Sequence, residues 1–349
     1  MMLDDVQALA RVDAHDTRRV LAEFAAQCRQ GRALSVTLAK RAARPRLVVL
    51  AGMGGSAAGA DLVATCGLSS VDVPILVHRG YGLPAAAGRD ALVVASSYSG
   101  DTVEVISAVE TALARRIPVV AITSGGALGT LAKRHGLACV ALPSGLMPRM
   151  ALGLLVFPAL NALAAHGVAV AAEADLDEAL AVVSAQAADL TPEAGSDRNE
   201  AKQLALAIGP RLPAVYGGPL TGTAAYRWKT DLEENAKLLA VAGTMPEMNH
   251  NEIEVWQGPA ARTLHAVLLR DRGEEPEIAR RFALVRELLT PAAGGVSEVW
   301  AHGTSRFARL LSLVHLGQWV SYYAAILRDT DPWPVPVLMS FKQRLSTSP

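Results

Sequence analysis

The stretch that decides the fold runs from residue 47 to residue 59 and reads LVVLAGMGGSAAG. Five apolar residues lead into a glycine-rich turn, and a predicted helix follows the turn. Residues 91–102, ALVVASSYSGDT, repeat this order of apolar strand and hydroxyl-rich turn. Unbroken apolar strands are typical of a parallel sheet, because both faces of such a sheet are covered. We therefore expect both turns at the carboxyl ends of strands and the amino ends of helices.

That edge of an open α/β sheet is where ligands bind, and the free backbone N–H groups and the helix dipole favour an anion there. Glycine lets the backbone approach a ligand closely. The hydroxyl groups of the turns can donate hydrogen bonds and carry no negative charge that would repel a phosphate. They belong to Ser56, Ser97, Ser99 and Thr102. The two turns therefore predict a phosphate-binding site.

Strands and helices alternate along the rest of the chain. Strands are predicted at 47–51, 73–77, 91–95, 119–122 and 138–142, and in the second half at 213–216, 263–269 and 296–301. This rhythm, in a chain of 349 residues, predicts an α/β protein with two doubly wound, flavodoxin-like parallel-sheet domains in tandem. We expect N-terminal helices and the first domain over 1–165, connecting helices and a seam over 166–198, the second domain over 199–330 and a C-terminal tail over 331–349.

The composition excludes several classes of partner. Lys and Arg together number 33, as do Asp and Glu, so no net charge attracts nucleic acid or an anionic membrane. The longest apolar run, 150–165, is interrupted by Gly153, Pro158 and Asn161, and it predicts a buried helix rather than a membrane span. The cysteines are scattered, and the amino terminus lacks the features of a signal peptide. We therefore expect buried free thiols in a cytoplasmic protein without metal, nucleic-acid or membrane partners.

Two motifs in the second half could supply an acid and a base. Glu233-Glu234-Asn235-Ala236-Lys237 lies on a predicted helix, and Asn249-His250-Asn251 lies in a proline-bounded loop after it. A carboxylate and an imidazole differ in proton affinity, as proton transfer on a sugar requires. Glutamates on helices are usually solvated, so an ordinary surface role for Glu234 is the alternative. His250 has no periodic apolar context, which favours function over packing.

Arg149 is isolated among the apolar residues of Leu146-Met147-Pro148-Arg149-Met150. This setting favours a bound anion or a buried carboxylate as its partner.

The glycine turn has a rival interpretation, because Gly52-x-Gly54-x-x-Ala57 matches the loose dinucleotide fingerprint. The acidic residue expected after the next strand is missing, since that strand ends in His78-Arg79. A basic pair at that position permits binding of the 2′-phosphate of NADP, so an NADP-linked oxidoreductase stays an alternative.

Taken together, the motifs resemble those of the bifunctional phosphoglucose/phosphomannose isomerases, a branch of the sugar-isomerase (SIS) domain superfamily. They are Gly52-Met53-Gly54-Gly55-Ser56, Ser97-Tyr98-Ser99-Gly100-Asp101-Thr102, Glu234-Asn235-Ala236-Lys237 and Pro246-Glu247-x-Asn249-His250-Asn251. The resemblance extends from about residue 47 to Lys342. It implies two SIS domains in tandem, an active homodimer, and conversion of glucose 6-phosphate or mannose 6-phosphate to fructose 6-phosphate without a metal or cofactor, in glycolysis and gluconeogenesis.

The resemblance also implies roles for individual residues. The phosphate would be held by Gly55, Ser56, Ser97, Ser99 and Thr102. Glu234 resembles the base that moves a proton between C1 and C2 through a cis-enediol. His250 resembles the ring-opening residue, which in relatives reaches into the neighbouring subunit's site. Arg149 resembles the arginine that stabilises the enediolate, and Lys342 the lysine that assists at the ring oxygen.

Two positions depart from the family pattern. Val335 stands seven residues before Lys342, where relatives carry a threonine thought to accommodate both C2 epimers, so the balance of glucose and mannose substrates stays open. Asp101 stands where asparagine is common, and we expect its side chain to cap the helix that follows. A non-catalytic sugar-phosphate-binding SIS protein is the alternative, but Glu234, His250 and Lys342 together favour an enzyme.

Overall fold

Two parallel sheets organise the described residues, 2–36 and 43–347, of this computed structural model. The strands of the first sheet are β1 (Leu47–Ala51), β2 (Ile75–His78), β3 (Ala91–Ser96), β4 (Val119–Thr123) and β5 (Ala138–Ala141). Their order is β2-β1-β3-β4-β5, and every neighbouring pair is parallel. This is the flavodoxin-like order, in which β2 and β3 lie on opposite sides of β1, so that the direction of winding reverses at β1. The five strands predicted for the first half are confirmed.

The second sheet repeats this order with one strand fewer. Its strands are β6 (Leu212–Gly217), β7 (Val241–Thr244), β8 (Leu264–Arg270) and β9 (Gly295–Trp300). They are ordered β7-β6-β8-β9, again all parallel. The edge strand β7 was not among the predicted strands, because it is short and only partly buried and therefore lacks a long apolar run. The two sheets confirm the predicted α/β class with tandem doubly wound domains.

The α-helices of the described residues are α1 (Val6–Val12), α2 (Thr17–Ala22), α3 (Phe24–Ala33), α4 (Gly54–Gly67), α5 (Val103–Arg115), α6 (Gly126–His135), α7 (Leu152–Ala165), α8 (Glu173–Leu190), α9 (Glu200–Ile208), α10 (Gly222–Ala236), α11 (Pro276–Leu289), α12 (Arg306–Ile326) and α13 (Pro336–Thr347). The predicted helical region from 151 to 187 is two helices, since α7 ends before Gly167, whose φ of 77° favours glycine. Of the predicted N-terminal helical segment, residues 37–42 lie outside the described residues.

The core of the first sheet lies against α5. This helix buries Val105, Ala108, Val109 and Ala112, a spacing that places them on one face. They pack in one cluster with strand residues that include Val49, Val93 and Ala121. Full burial of one Val or Leu side chain contributes roughly 1.5–3 kcal/mol. The loops at the carboxyl ends of these strands are therefore mounted on a rigid sheet.

The described residues form two compact units. One contains Glu23–Val183 with Ser305–Ala308, and the other contains Met1–Ala22, Ser184–Thr304 and Arg309–Pro349. Residues 2–22 thus group with the second sheet, and the domain bounds expected from the sequence stay a prediction. One contact within this unit joins segments distant in sequence: a carboxylate oxygen of Asp4 accepts hydrogen bonds from the backbone N–H and the hydroxyl of Ser196 at 2.9 and 2.7 Å.

Two further observations concern the expected class of protein. No α-helix in the described part of the chain has the length and apolar character needed to cross a membrane. Cys28 and Cys66 are buried free thiols, as expected. Cys139 is exposed, so the prediction that all three thiols are buried is wrong. Its strand, β5, lies at the edge of the first sheet and is covered less completely than the central strands.

Candidate functional site

The glycine turn after β1 brings the start of α4 against another loop. Gly54 has a φ of 51°, a conformation that costs glycine little. A Cβ on Gly55 would lie 2.6 Å from the backbone nitrogen of Arg149 and 2.7 Å from the carbonyl carbon of Pro148. Only glycine permits this approach, and it places Arg149 beside the predicted phosphate turn. Ser56 is buried, and its Oγ accepts a hydrogen bond from the backbone N–H of Tyr98 at 3.2 Å.

The turn after β3 is held together by its own hydroxyl groups. The Ser97 and Thr102 hydroxyls are 2.8 Å apart and hydrogen-bonded. Ser97 Oγ also accepts from the backbone N–H of Gly100 at 3.1 Å. Ser99 Oγ lies on the exposed side of the turn and accepts from the backbone N–H of Asp101 at 3.4 Å. The structure therefore brings the predicted serine and threonine side chains of the two turns to one edge of the first sheet.

Asp101 does not cap the helix that follows it, so that expectation is wrong. Its Oδ1 accepts a hydrogen bond from the backbone N–H of Ala127 at 2.9 Å, at the start of α6. The two loops approach closely here, since a Cβ on Gly100 would overlap the carbonyl oxygen of Gly125. A carboxylate at a helix amino end is stabilised by the helix dipole. The negative charge of Asp101 is thus engaged by α6.

Tyr98 is a member of the site that the sequence reasoning did not single out. It is 4% exposed, and its hydroxyl donates to the carbonyl of Pro143 at 2.8 Å and accepts from the backbone N–H of Leu146 at 3.1 Å. Its own carbonyl accepts from the Ser124 hydroxyl at 2.6 Å. Burial raises the pKa of the Tyr98 phenol, so it stays protonated. One tyrosine therefore joins three loops at the carboxyl edge of the first sheet.

Arg149 lies in a short 3-10 helix, Pro148–Met150, between β5 and α7. The residue is 2% exposed. A buried guanidinium requires hydrogen-bonding partners, because burying an uncompensated charge is costly. Arg149 is therefore not on the exposed surface, and the anion or carboxylate predicted as its partner stays a prediction.

In the other unit, Glu234 lies in the last turn of α10 and is partly buried. The same helix carries a buried ion pair, Arg227 with Asp231 at 2.7 Å, one turn earlier. Asn235 is also buried, and its amide donates to the Ser321 hydroxyl at 2.9 Å. These contacts fix the rotation of α10 and leave the Glu234 side chain on its less buried side. Glu233, next to it, is paired with Lys229 at 2.7 Å.

Lys237 ends this helix and ties the C-terminal tail to it. Its backbone is left-handed, with a φ of 52°. Its ammonium donates to the carbonyl of Glu234 at 2.6 Å and to the carbonyl of Pro334 at 2.7 Å. A cation at the carboxyl end of a helix also interacts favourably with the helix dipole. The tail that carries Val335 is therefore fastened beside Glu234, and α13, which carries an exposed Lys342, follows it.

His250 is exposed at the end of a 3-10 helix, Glu247–His250, rather than in an irregular loop. Its two asparagine neighbours brace this turn. Asn251 Oδ1 accepts from the backbone N–H of Glu252 at 2.6 Å, and its amide donates to Glu247 at 2.9 Å. Asn249 Oδ1 accepts from Arg281 of α11 at 3.3 Å. The turn thus presents the imidazole to the surface in a defined position.

Two other histidines of this unit have structural environments. Burial lowers the pKa of His265 to about 4 and that of His315 to about 3, which keeps both imidazoles neutral at pH 7. His265 Nε2 is 2.9 Å from the Ser297 hydroxyl, and His315 Nε2 accepts from the indole N–H of Trp319 at 3.3 Å. Among residues 2–36 and 43–347, no group of three or more His, Cys, Asp or Glu side chains could hold a metal ion.

Comparisons with known proteins match most of the chain. A family model described as the bacterial phospho-glucose isomerase C-terminal SIS domain matches residues 197–345. A bifunctional phosphoglucose/phosphomannose isomerase of Caldicellulosiruptor bescii is 36% identical over 304 residues, covering 86% of this chain and 89% of that protein. The protein of that name from Aquifex aeolicus is 34% identical over 85% of this chain and 90% of its own length. A solved structure of a glucose-6-phosphate isomerase-like protein from Thermus thermophilus has a TM-score of 0.66 and 22% identity, covering 98% of both chains.

Proposed function

This chain belongs to the bifunctional phosphoglucose/phosphomannose isomerase family, and we propose how its residues interconvert glucose 6-phosphate or mannose 6-phosphate with fructose 6-phosphate. The observation that carries the proposal is the hydroxyl-lined edge of the first sheet with the buried Arg149 against it. This edge offers hydrogen-bond donors to a phosphorylated sugar. The relatives are isomerases, which disfavours both the non-catalytic alternative and the NADP-linked oxidoreductase.

We propose that the phosphate is bound by Gly55, Ser56, Ser97, Ser99 and Thr102. Hydroxyl and backbone N–H groups at the amino ends of α4 and α5 can donate to the phosphate oxygens. The hydrogen bond between Ser97 and Thr102 orders these donors before substrate arrives, so little side-chain freedom is lost on binding. The carboxylate of Asp101 accepts a hydrogen bond from the backbone N–H of Ala127, and as an acceptor it supplies no hydrogen bond to the phosphate.

Glu234 is the proposed base for proton transfer. After the sugar ring opens, its carboxylate removes the proton from C2 of the aldose, the C2–H electrons form the C1–C2 double bond, and the carbonyl oxygen at C1 takes the negative charge of an enediolate. The hydroxyl proton of O2 then passes to O1, O2 becomes the carbonyl oxygen, and the double-bond electrons take the proton back from Glu234 at C1, which gives the ketose. The guanidinium of Arg149 offsets the negative charge that develops on the enediolate, an interaction that is stronger in the transition state than in the substrate. None of these reaction steps needs a metal ion.

His250 and Lys342 are proposed to open the ring. In this step a proton is delivered to the ring oxygen as its bond to C1 breaks, and the hydroxyl group on C1 gives up its proton to become the carbonyl. We also propose a homodimer in which His250 acts in the neighbouring subunit's site, and its exposed position on a braced turn supports this.

Val335 stands where relatives carry a threonine, and its methyl groups cannot donate a hydrogen bond to the sugar. Two of the three free thiols are buried, and we propose a cytoplasmic location.

A coupled assay with each epimer in the presence of EDTA tests the reaction. We expect turnover of at least one epimer, unaffected by the chelator; turnover of neither by folded protein would refute the assignment. Glu234→Gln should lose turnover by several orders of magnitude and still bind substrate. The matched control is Glu233→Gln, one residue away and paired with Lys229, which should change turnover little. Equal activity of the two variants would remove Glu234 from the mechanism.

Mixing two inactive variants tests the role of His250 across the dimer. Equal amounts of Glu234→Gln and His250→Ala subunits, unfolded and refolded together, give mixed dimers with one complete site if His250 acts in the partner. We then expect recovery of about a quarter of wild-type activity, because half of the dimers are mixed and each has one working site of two. No recovery, with mixed dimers demonstrated, would place His250 in its own subunit's site.

A further inference from the structure

Two buried side chains from distant segments bind the backbone on either side of Arg149, and the proposed mechanism assigns a role to neither of them. The first is Tyr98, on the turn after β3. Its hydroxyl bonds both Pro143 and Leu146, at 2.8 and 3.1 Å, in the loop that leads from β5 to Arg149. The two ends of this loop cannot move apart without breaking a hydrogen bond of the same phenol. Tyr98 therefore fixes the segment of chain that precedes Arg149.

The second side chain is Gln27, on α3. Its amide nitrogen donates to the carbonyl of Met150 at 2.7 Å, and its amide oxygen accepts from the backbone N–H of Gly153 at 2.8 Å. Met150 follows Arg149 directly, and Gly153 lies in the first turn of α7, where backbone N–H groups have no helical partner. Gln27 therefore holds the carboxyl side of Arg149 to the start of α7.

All of these groups are buried. Tyr98 is 4%, Gln27 8% and Arg149 2% exposed. Water cannot replace a broken hydrogen bond at such a position, so a donor or acceptor left without its partner is costly. The third side of the Arg149 backbone is closed by Gly55, which leaves no room for a Cβ. The backbone of Arg149 is thus held from three directions.

We propose that Tyr98 and Gln27 are positioning residues for Arg149. The proposal rests on the proposed role of Arg149 at the enediolate. A guanidinium stabilises a developing charge only if its N–H groups already point at the oxygen, and small misplacements are costly in rate. Tyr98 and Gln27 touch neither phosphate nor sugar in this mechanism and act through the backbone on either side of Arg149. The two hydrogen bonds of the Tyr98 hydroxyl account for a tyrosine between the two serines of the turn, because phenylalanine could make neither.

Conservative substitutions test this proposal. Tyr98→Phe removes one hydroxyl and keeps the ring, and Gln27→Met keeps the length of the side chain and removes both hydrogen bonds. We expect kcat to fall by roughly three- to thirtyfold in each, because Arg149 is held less well. KM and the inhibition constant of inorganic phosphate should change by less than about twofold, because the hydroxyl groups of the phosphate site are retained.

Tyr323→Phe is the matched control. This hydroxyl is buried in the same way, donating to the carbonyl of Leu190 at 2.7 Å and accepting from the amide of Asn199 at 3.3 Å, but it belongs to the other compact unit. Its loss should lower the urea midpoint about as much as the loss of the Tyr98 hydroxyl and leave kcat unchanged. An equal fall of kcat in Tyr323→Phe would show that general destabilisation, and not positioning, explains the effect.

A double-mutant cycle shows whether the effect passes through Arg149. In an Arg149→Met background, adding Tyr98→Phe or Gln27→Met should change the residual kcat by less than about twofold, because the group that they position is gone. Full additivity would overturn the proposal, as would wild-type kcat in both single variants or a rise in the phosphate inhibition constant as large as the fall in kcat. Should one variant fail to fold, the other carries the same test. A wild-type protein without turnover would instead refute the proposed function itself.

Discussion

Replacing Gly55 by alanine tests whether the phosphate turn and Arg149 pack as closely as the structure shows. The added Cβ would lie 2.6 Å from the nitrogen and 2.7 Å from the Cα of Arg149, where ordinary contacts begin at 3.4 Å. The opposing atoms are backbone, so they cannot rotate away. The loop must therefore move by about 0.8 Å, and a misplacement of about 1 Å can lower the rate about a hundredfold. We expect kcat of Gly55→Ala to fall by about that factor.

Gly129→Ala is the control that isolates this overlap. Gly129 lies within α6, and its added Cβ would meet only Thr123 Cγ2, at 3.8 Å. Each replacement gains helix propensity, about 0.5–1 kcal/mol, and Gly55→Ala alone also suffers overpacking, which costs about 1–3 kcal/mol. Urea unfolding should therefore place Gly55→Ala about 1–3 kcal/mol below Gly129→Ala, whose kcat should be that of wild type. Equal stability of the two variants, with normal kcat for Gly55→Ala, would refute the close packing.

Three further predictions use other contacts. His265 and His315 have folded-state pKa values of about 4 and about 3, below 6.5, so the unfolded state binds more protons and the urea midpoint should fall as pH drops from 6.5 towards 4; a midpoint that rises would contradict this. Lys237→Gly removes both left-handed strain and the bond to Pro334, so amide exchange in 331–347 should accelerate, whereas Arg116→Gly, at another left-handed helix end, should leave that exchange unchanged. Asp101→Asn keeps an oxygen for the Ala127 N–H and removes a negative charge, so inorganic phosphate should bind roughly two- to fivefold more tightly; weaker binding would contradict this.

The strands and the phosphate turns could be predicted because their signals are local. An apolar run such as Leu47–Ala51 is buried on both faces in any parallel sheet, and a turn that follows it must reach the ligand edge. Arg149 could also be singled out, since an arginine among apolar residues is conspicuous in the sequence itself. The edge strand β7 escaped prediction because its four residues are only partly buried, so selection for an apolar pattern is weak there.

The side chains that hold the loops around Arg149 have no such local signal in the sequence. Tyr98 meets Leu146 across 48 residues of chain, and Gln27 meets Met150 across 123. Neither spacing has a periodicity, because the partner of each side chain is a backbone group that any residue could provide. The same holds for Asp101, whose carboxylate caps α6 rather than the adjacent helix, and for Asp4, whose carboxylate accepts from the hydroxyl of the distant Ser196.

By itself, the sequence determined the fold class, the two sheets, the chemistry of the turns and the family to which the chain belongs. These properties depend on which residues stand where along the chain, and neighbouring residues reveal them. Only the tertiary structure decided that Gly55 must be glycine to admit Arg149, and that Tyr98 and Gln27 border the backbone of that arginine. Such contacts join segments distant in sequence, and their geometry exists only once the sheet has brought the loops together.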